Sequence, residues 1–180
     1  TYSLNMKLLQ RKIDKILRDW KQTENKMPLI VKGARQIGKT ASIMQFATEN
    51  YKNVIAINFV LQKKYKAIFD DGYEVEDIVR NITLIDPSLN FEDGNTLIFF
   101  DELQDCPACA TSLKAFCIDG RYDVICSGSL MGINYREIES NSVGYKQDYT
   151  MHSMDFEEFL WAKGYDCTFI EHLYLSLIHI

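Results

Sequence analysis

The sequence lacks a long apolar run and a signal-like start. No apolar stretch in its 180 residues approaches the about 20 that a membrane-spanning helix needs, so we expect no membrane partner. The chain opens on Thr1-Tyr2-Ser3 without the basic and then apolar pattern of a secretory signal, which predicts a cytoplasmic location. It also lacks internal repeats, low-complexity tracts and an evident linker. At this length we expect one main domain around one core.

An excess of positive charge is missing as well. The formal net charge is −5 and the isoelectric point is about 5.2, since 25 acidic residues outweigh 20 lysines and arginines. This balance gives no overall attraction for nucleic acid or for an anionic membrane. Nucleic acid is therefore not indicated as a partner of this chain.

The cysteines show neither a disulfide framework nor a complete zinc set. They are odd in number and no secretion signal accompanies them, so we expect reduced thiols. Cys106 and Cys109 have the CxxC spacing of redox and zinc sites, but no second CxxC or histidine pair completes four ligands. We interpret them as loop and helix cysteines near a functional strand. The others are Cys117, Cys126 and Cys167.

What the sequence does contain is an alternation of helical and strand patterns. Apolar residues recur at helical spacing from Leu9 to Trp20, which predicts an amphipathic helix that packs on the main domain. The apolar segments are continuous, as in a parallel sheet covered on both faces, and the alternation predicts an α/β three-layer sandwich. Strands are predicted at 29–31, 54–59, 96–100 and 122–126, helices at 41–50, 63–69, 75–85 and 107–118, a strand or hairpin within 145–154, and a capped helix at 155–162.

One glycine-rich segment matches the phosphate-binding loop pattern G-x-x-x-x-G-K-[ST], the Walker A motif, at every fixed position. Because a predicted strand precedes it and a helix follows, backbone N–H groups and the helix N-terminus can surround phosphates. Lys39 can reach the β- and γ-phosphates, and the Thr40 hydroxyl can bind Mg²⁺. We therefore predict ATP and Mg²⁺ as ligands. The segment consists of Gly33, Ala34, Arg35, Gln36, Ile37, Gly38, Lys39 and Thr40.

The strand predicted at 96–100 ends on two carboxylates, Asp101 and Glu102, as in a Walker B motif. Ligands of open α/β sheets bind at the carboxyl ends of the strands, where this pair is expected to lie. Asp101 is predicted to hold Mg²⁺, directly or through water. Glu102 is predicted to orient and deprotonate the attacking water. A polar loop without such a role is the alternative, which the Walker A motif upstream disfavours.

The segment 127–129 follows the next predicted strand and is expected at the same edge of the sheet. Ser127 is predicted to hydrogen-bond the γ-phosphate or the attacking water, with a simple serine-containing turn as the alternative. An arginine that neutralises the transition state is not singled out, because Arg35, Arg121 and Arg136 are all candidates.

These motifs resemble the poorly characterised bacterial and archaeal AAA-type ATPases, whose P-loop domain is followed by a C-terminal domain of unknown function. The resemblance implies an ASCE-type core, in which the strand before Ser127 lies between the strands that carry Gly33 and Asp101. It also implies Glu102 as the catalytic base. The chain departs from the family at Tyr145, where relatives commonly carry arginine. The likeness rests on 32–40, 99–107, 112–114, 127–129 and 154–160.

We divide the chain into an N-terminal helix at 1–27, a P-loop ATPase core at 28–150, and the helical start of a truncated C-terminal region at 151–180. The missing initiator methionine suggests a truncated start. The apolar end at 173–180 suggests a truncated or non-native tail. We expect the family's C-terminal domain to be missing.

The predicted function is a Mg-dependent ATPase that hydrolyses ATP to drive a conformational switch, with a protein partner or self-association. A nucleotide-gated interaction module that binds ATP with little hydrolysis is an open alternative. A P-loop kinase is disfavoured by the adjacent Asp101 and Glu102 and by the lack of an arginine-rich lid. A motor acting on DNA is disfavoured by the acidic balance. No Asn-Lys-x-Asp guanine signature is present, which favours adenine.

Overall fold

The computed structural model describes residues 9–129, 143–166, 168, 169, 172, 173 and 175. These residues form an α/β fold in which helices flank a five-stranded sheet whose strand pairs are all parallel. The strands are β1 (Leu29–Gly33), β2 (Asn53–Asn58), β3 (Thr96–Asp101), β4 (Asp123–Ser129) and β5 (Gln147–Thr150). The α-helices are α1 (Lys12–Gln22), α2 (Lys39–Asn50), α3 (Val75–Ile85), α4 (Pro107–Asp119) and α5 (Phe156–Ala162), with 3₁₀ helices at Lys63–Phe69 and Leu103–Asp105.

The strand order is β2-β3-β4-β1-β5, which confirms that β4 lies between β1 and β3. In the register of the sheet, Asn58 lies beside Asp101 and Val31 lies beside Ser127. Because all strands run the same way, their carboxyl ends meet along one edge. That edge collects the segments that follow β1, β2, β3 and β4.

Two apolar clusters cover the two faces of the sheet. Along β3, Leu97 and Phe99 point into the cluster under α1 and α2, whereas Ile98 and Phe100 point into the cluster under α3 and α4. Every residue of β3 is buried. The strand is continuously apolar from Leu97 to Phe100 because neither of its faces meets solvent.

Helix α1 packs on the main domain, as its apolar pattern predicts, but it is shorter than that pattern. Ile13, Leu17 and Trp20 are buried against α2 and the sheet. Leu9 precedes the helix and is 51% exposed. The buried stripe therefore begins at Ile13.

The chain after β4 returns to the sheet and then forms a capped helix. The segment predicted as a strand or hairpin is a single strand, β5, that pairs with β1. At the start of α5 the Asp155 carboxylate accepts a hydrogen bond from Glu158 N at 2.9 Å, which confirms the predicted cap. Met151 belongs to the cluster under α1 and α2, so core packing continues past residue 150. Within the described residues, no helix has the length and apolar character to cross a membrane.

We expect Leu17→Ala to lower the free energy of unfolding by about 2 to 5 kcal/mol, because it deletes buried methyl groups and leaves a cavity beneath α1. Leu9→Ala is the matched control in the same segment and should change that free energy by less than about 0.5 kcal/mol. Urea denaturation of both variants measures the difference. Equal losses for the two leucines would contradict the docking of α1.

Candidate functional site

A cleft of about 580 Å³ opens at the carboxyl edge of the sheet. Its volume lies in the range of about 300 to 1,000 Å³ that is usual for ligand sites. The cleft brings together the glycine-rich loop and both predicted carboxylates. Its lining consists of Arg35, Gln36, Gly38, Lys39, Thr40, Ala41, Val60, Asp101 and Glu102.

The glycine-rich loop joins β1 to α2. Glycine is needed at its two fixed positions for different structural reasons. A Cβ atom on Gly33 would lie 2.4 Å from the backbone oxygen of Met151, so only glycine fits there. Gly38 caps the N-terminus of α2 with a left-handed φ of 96°. Gln36 is also left-handed, with a φ of 61°. This path turns the loop around the N-terminus of α2, where backbone N–H groups and the helix dipole favour an anion.

The ammonium group of Lys39 lies against the loop. Its Nζ donates hydrogen bonds to Gly33 O at 3.1 Å and Ala34 O at 2.6 Å. Burial lowers the pKa of Lys39, and the nearby negative charges of Glu102 and Asp101 oppose that shift. The lysine is thus a cation placed between the loop and the two carboxylates.

The Asp101 carboxylate is held by several hydrogen bonds at this edge. It is 7% exposed and accepts hydrogen bonds from Thr40 Oγ1 at 3.1 Å, Asn58 Nδ2 at 3.0 Å, Glu102 N at 3.0 Å and the Ser127 hydroxyl. Two of these donors contact Oδ1 and two contact Oδ2, so both carboxylate oxygens are held. Its orientation is therefore fixed from four directions.

Thr40 and Asp101 fit the requirements of a bound Mg²⁺. Two neighbouring ligands of an octahedral Mg²⁺ at about 2.1 Å from the ion lie about 3.0 Å apart. Thr40 Oγ1 and Asp101 Oδ2 are separated by 3.1 Å. Among the described residues no group of three or more His, Cys, Asp or Glu side chains is placed to hold a metal ion. Mg²⁺ commonly takes one or two protein ligands and completes its shell with phosphate and water, so this pair is sufficient.

Glu102 has an unusual backbone. Its φ of 58° and ψ of 50° are left-handed, a conformation that costs a non-glycine residue about 1 to 2 kcal/mol. Such strain concentrates at functional sites. The conformation directly follows β3 and places Glu102 in the wall of the cleft. Its Oε2 accepts a hydrogen bond from Gln104 Nε2.

Ser127 lies inside β4, which extends to Ser129 rather than ending at residue 126. Its side chain is fully buried and contacts Asp101 instead of lining the cleft. The strand continues through these polar residues because the Ser127 hydroxyl finds a buried acceptor. A direct contact of Ser127 with a phosphate stays a prediction.

The three candidate arginines have different positions. Arg35 lines the cleft. Arg121 precedes β4 at the opposite edge of the sheet, where Asp119 and Glu76 bind its guanidinium group at 2.6 Å and 2.5 Å. Arg136 lies outside the described residues. Of the described candidates, Arg35 is the one at the cleft.

Arg11 is a contact of the loop that sequence reasoning missed. It donates to Ile37 O and to His152 O, both at 2.9 Å, and pairs with Glu158 Oε1 at 3.1 Å. The two charged side chains are 10% and 6% exposed. Arg11 therefore fastens the glycine-rich loop to the segment after β5. The sequence gives no signal for this contact, since its members are far apart in the chain.

Asn58 and Gln104 were also missed, although each has a local signal. Asn58 is the polar residue within the apolar segment 54–59, and it lies in register with Asp101. Gln104 lies in the 3₁₀ turn that directly follows the two carboxylates. Polar residues at the carboxyl end of a buried strand could have indicated both.

Comparisons with known proteins give a family and a distant structural likeness. A family model described as an AAA domain matches residues 25–160. One matching solved structure is that of AMPPCP-bound DnaA from Aquifex aeolicus, with 13% identity and a TM-score of 0.45. The alignment covers 81% of this chain and 46% of that one, so this chain spans less than half of its length. No curated protein matches the chain.

We expect Arg11→Met to lower the free energy of unfolding by about 3 kcal/mol, because it leaves the buried Glu158 carboxylate without its cation. Arg18→Met, at an exposed position of α1, is the control and should cost less than about 0.5 kcal/mol. Chemical denaturation measures both values. Similar stabilities for the two variants would show that the Arg11 contacts do not hold the loop.

Proposed function

The chain belongs to the AAA domain family, and from that premise we propose that it binds ATP with Mg²⁺ and hydrolyses ATP to ADP and phosphate. The observation that carries the proposal is the meeting of the 33–40 loop with Asp101 and Glu102 in one cleft. A phosphate site, a metal ligand pair and a candidate base are thereby within one small volume. These are the parts that phosphoryl transfer to water requires.

The loop and α2 would bind the phosphates. The backbone N–H groups at the start of α2 offer hydrogen bonds, and Lys39 can exchange its two carbonyl acceptors for phosphate oxygens. Thr40 and Asp101 would hold Mg²⁺, which, when bound, neutralises charge on the β- and γ-phosphate oxygens. Arg35 at the cleft provides a second cation near the loop.

Glu102 would act as the general base. Its carboxylate lies in the wall of the cleft, where it can accept a proton from a water molecule that attacks the γ-phosphate. Ser127 contributes to the same reaction by fixing Asp101 through its hydroxyl. Adenine remains the preferred base on sequence grounds. The conformational switch, and a protein partner or second copy that responds to it, belong to this proposal as well.

Lys39→Ala is expected to weaken binding of Mg-ATP by about 2 kcal/mol, or about 30-fold, because it removes a charge-assisted contact to the phosphates. Isothermal titration measures the affinity. Lys52→Ala is the control, since Lys52 is exposed at the opposite edge and pairs with Glu92. Unchanged affinity in the Lys39 variant would refute the assignment of the loop.

Glu102→Gln is expected to retain Mg-ATP affinity within about twofold and to lose turnover by about 10² to 10⁴, because the amide cannot accept the proton. Phosphate release under saturating ATP measures the loss. Glu49→Gln is the control, since Glu49 also accepts a hydrogen bond from a glutamine, Gln45, but on the exposed face of α2.

The wild-type protein separates the two remaining alternatives in the same assay. Binding of ATP without phosphate release would favour a nucleotide-gated interaction module over an ATPase. Transfer of the phosphoryl group to a small acceptor in place of water would favour a kinase.

A further inference from the structure

Both the oxygen and the nitrogen of the Gln104 side-chain amide make hydrogen bonds at the carboxyl edge of the sheet. Its Oε1 accepts a hydrogen bond from the backbone N–H of Ser129 at 3.1 Å. Its Nε2 donates to Glu102 Oε2 and, at 3.3 Å, to Asp105 Oδ2. The residue is 9% exposed. One side chain thereby joins the end of β4 to the carboxylate in the wall of the cleft.

The chemistry of these partners requires an amide. Ser129 presents an N–H donor and needs an acceptor, whereas the Glu102 carboxylate needs a donor. Glutamine supplies an acceptor and a donor on one terminal group. A glutamate in its place would keep the contact to Ser129 but would set a third carboxylate against those of Glu102 and Asp105. A methionine would lose all three hydrogen bonds.

Gly128 leaves the space that this arrangement needs. A Cβ atom there would lie 3.1 Å from Gln104 Oε1 and 3.7 Å from Leu103 Cβ. The segment 127–129 therefore has a structural explanation at each residue. Ser127 fixes Asp101, Gly128 admits the glutamine, and the Ser129 amide orients it.

We propose that Gln104 is a positioning residue that holds the Glu102 carboxylate in the orientation needed to activate water and ties this orientation to the end of β4. The inference rests on the proposed hydrolysis of ATP. Glu102 has a long side chain, and a misplacement of about 1 Å in an active site can cost about 10² in rate. The Gln104 amide, which is itself oriented by Ser129, restricts the rotation of the Glu102 side chain. Two hydrogen-bond paths thus run from β4 to the two carboxylates, one through Ser127 and one through Gln104.

The first test measures phosphate release and nucleotide affinity for Gln104→Met and Gln104→Glu in the whole chain. Both variants should lose turnover by about 10-fold to 100-fold, because Glu102 is no longer held. Both should bind a non-hydrolysable ATP analogue within about threefold of the wild type, since Gln104 does not line the cleft. Gln104→Glu retains the acceptor for Ser129 N, so a loss of turnover shared by both variants follows from the lost donor to Glu102 and not from the lost contact with Ser129.

Gln45→Met is the matched control. Gln45 also donates its amide to a glutamate, Glu49, at 2.9 Å, but on the exposed face of α2. Its turnover should equal that of the wild type. A comparable loss in this variant would overturn the inference, because the effect would then not depend on Glu102.

The second test combines Gln104→Met with Glu102→Gln. If Gln104 acts through the base, the double variant should turn over ATP at the rate of Glu102→Gln alone, since nothing remains to be positioned. A further loss that multiplies the two single effects would show an independent role for Gln104 and would overturn the inference.

The outcomes for the inference and for the proposed function are distinct. A wild-type protein without phosphate release overturns both. An active wild type whose two Gln104 variants match it leaves the ATPase in place and overturns the inference alone. A parallel loss of nucleotide affinity and turnover in both variants indicates a general structural role and also overturns it.

Discussion

Four hydrogen bonds to one buried carboxylate hold the functional edge of this protein together. The donors to Asp101 come from α2, from β2, from β4 and from the backbone of the next residue. Burial of an ionised carboxylate is costly unless donors surround it. The strand order and the register must therefore both be correct, since a slip of one residue would turn Asn58 or Ser127 away from Asp101. The contacts that stabilise the fold at this position are therefore the same contacts that set the geometry of the site.

The two apolar faces of the sheet allow this edge to be polar. The cluster under α1 and α2 and the cluster under α3 and α4 bury both sides of β3, so the strand is apolar from Leu97 to Phe100. At that end the carboxylates emerge beside the N-terminus of α2. The glycine-rich loop can approach so closely because Gly33 has no side chain to meet Met151. Hydrophobic packing thus decides where the charged groups collect.

Local sequence patterns predicted those parts of the site that consist of consecutive residues. The 33–40 loop, the β3 carboxylates and the alternating elements are each encoded in consecutive residues, so spacing and hydrophobic pattern were enough. The orientation of Ser127 was not predictable in this way, because it depends on which strand lies beside β4 and at what register. Asn58 and Arg11 depend on contacts between distant segments. Leu9 fits the helical spacing, yet the chain before Lys12 is not helical and leaves it exposed.

The contacts that join the start of the chain to the segment after β5 also have a consequence for synthesis of the protein. Arg11 contacts the backbone of His152, which lies 141 residues later, and α1 contacts Glu158 across 146 residues. A ribosome releases the loop and its helix long before it releases these partners. Contacts between segments so far apart in the sequence cannot form until both segments have been synthesised. In the nascent chain these contacts with the glycine-rich loop and α1 can therefore form only after α5 has left the exit tunnel.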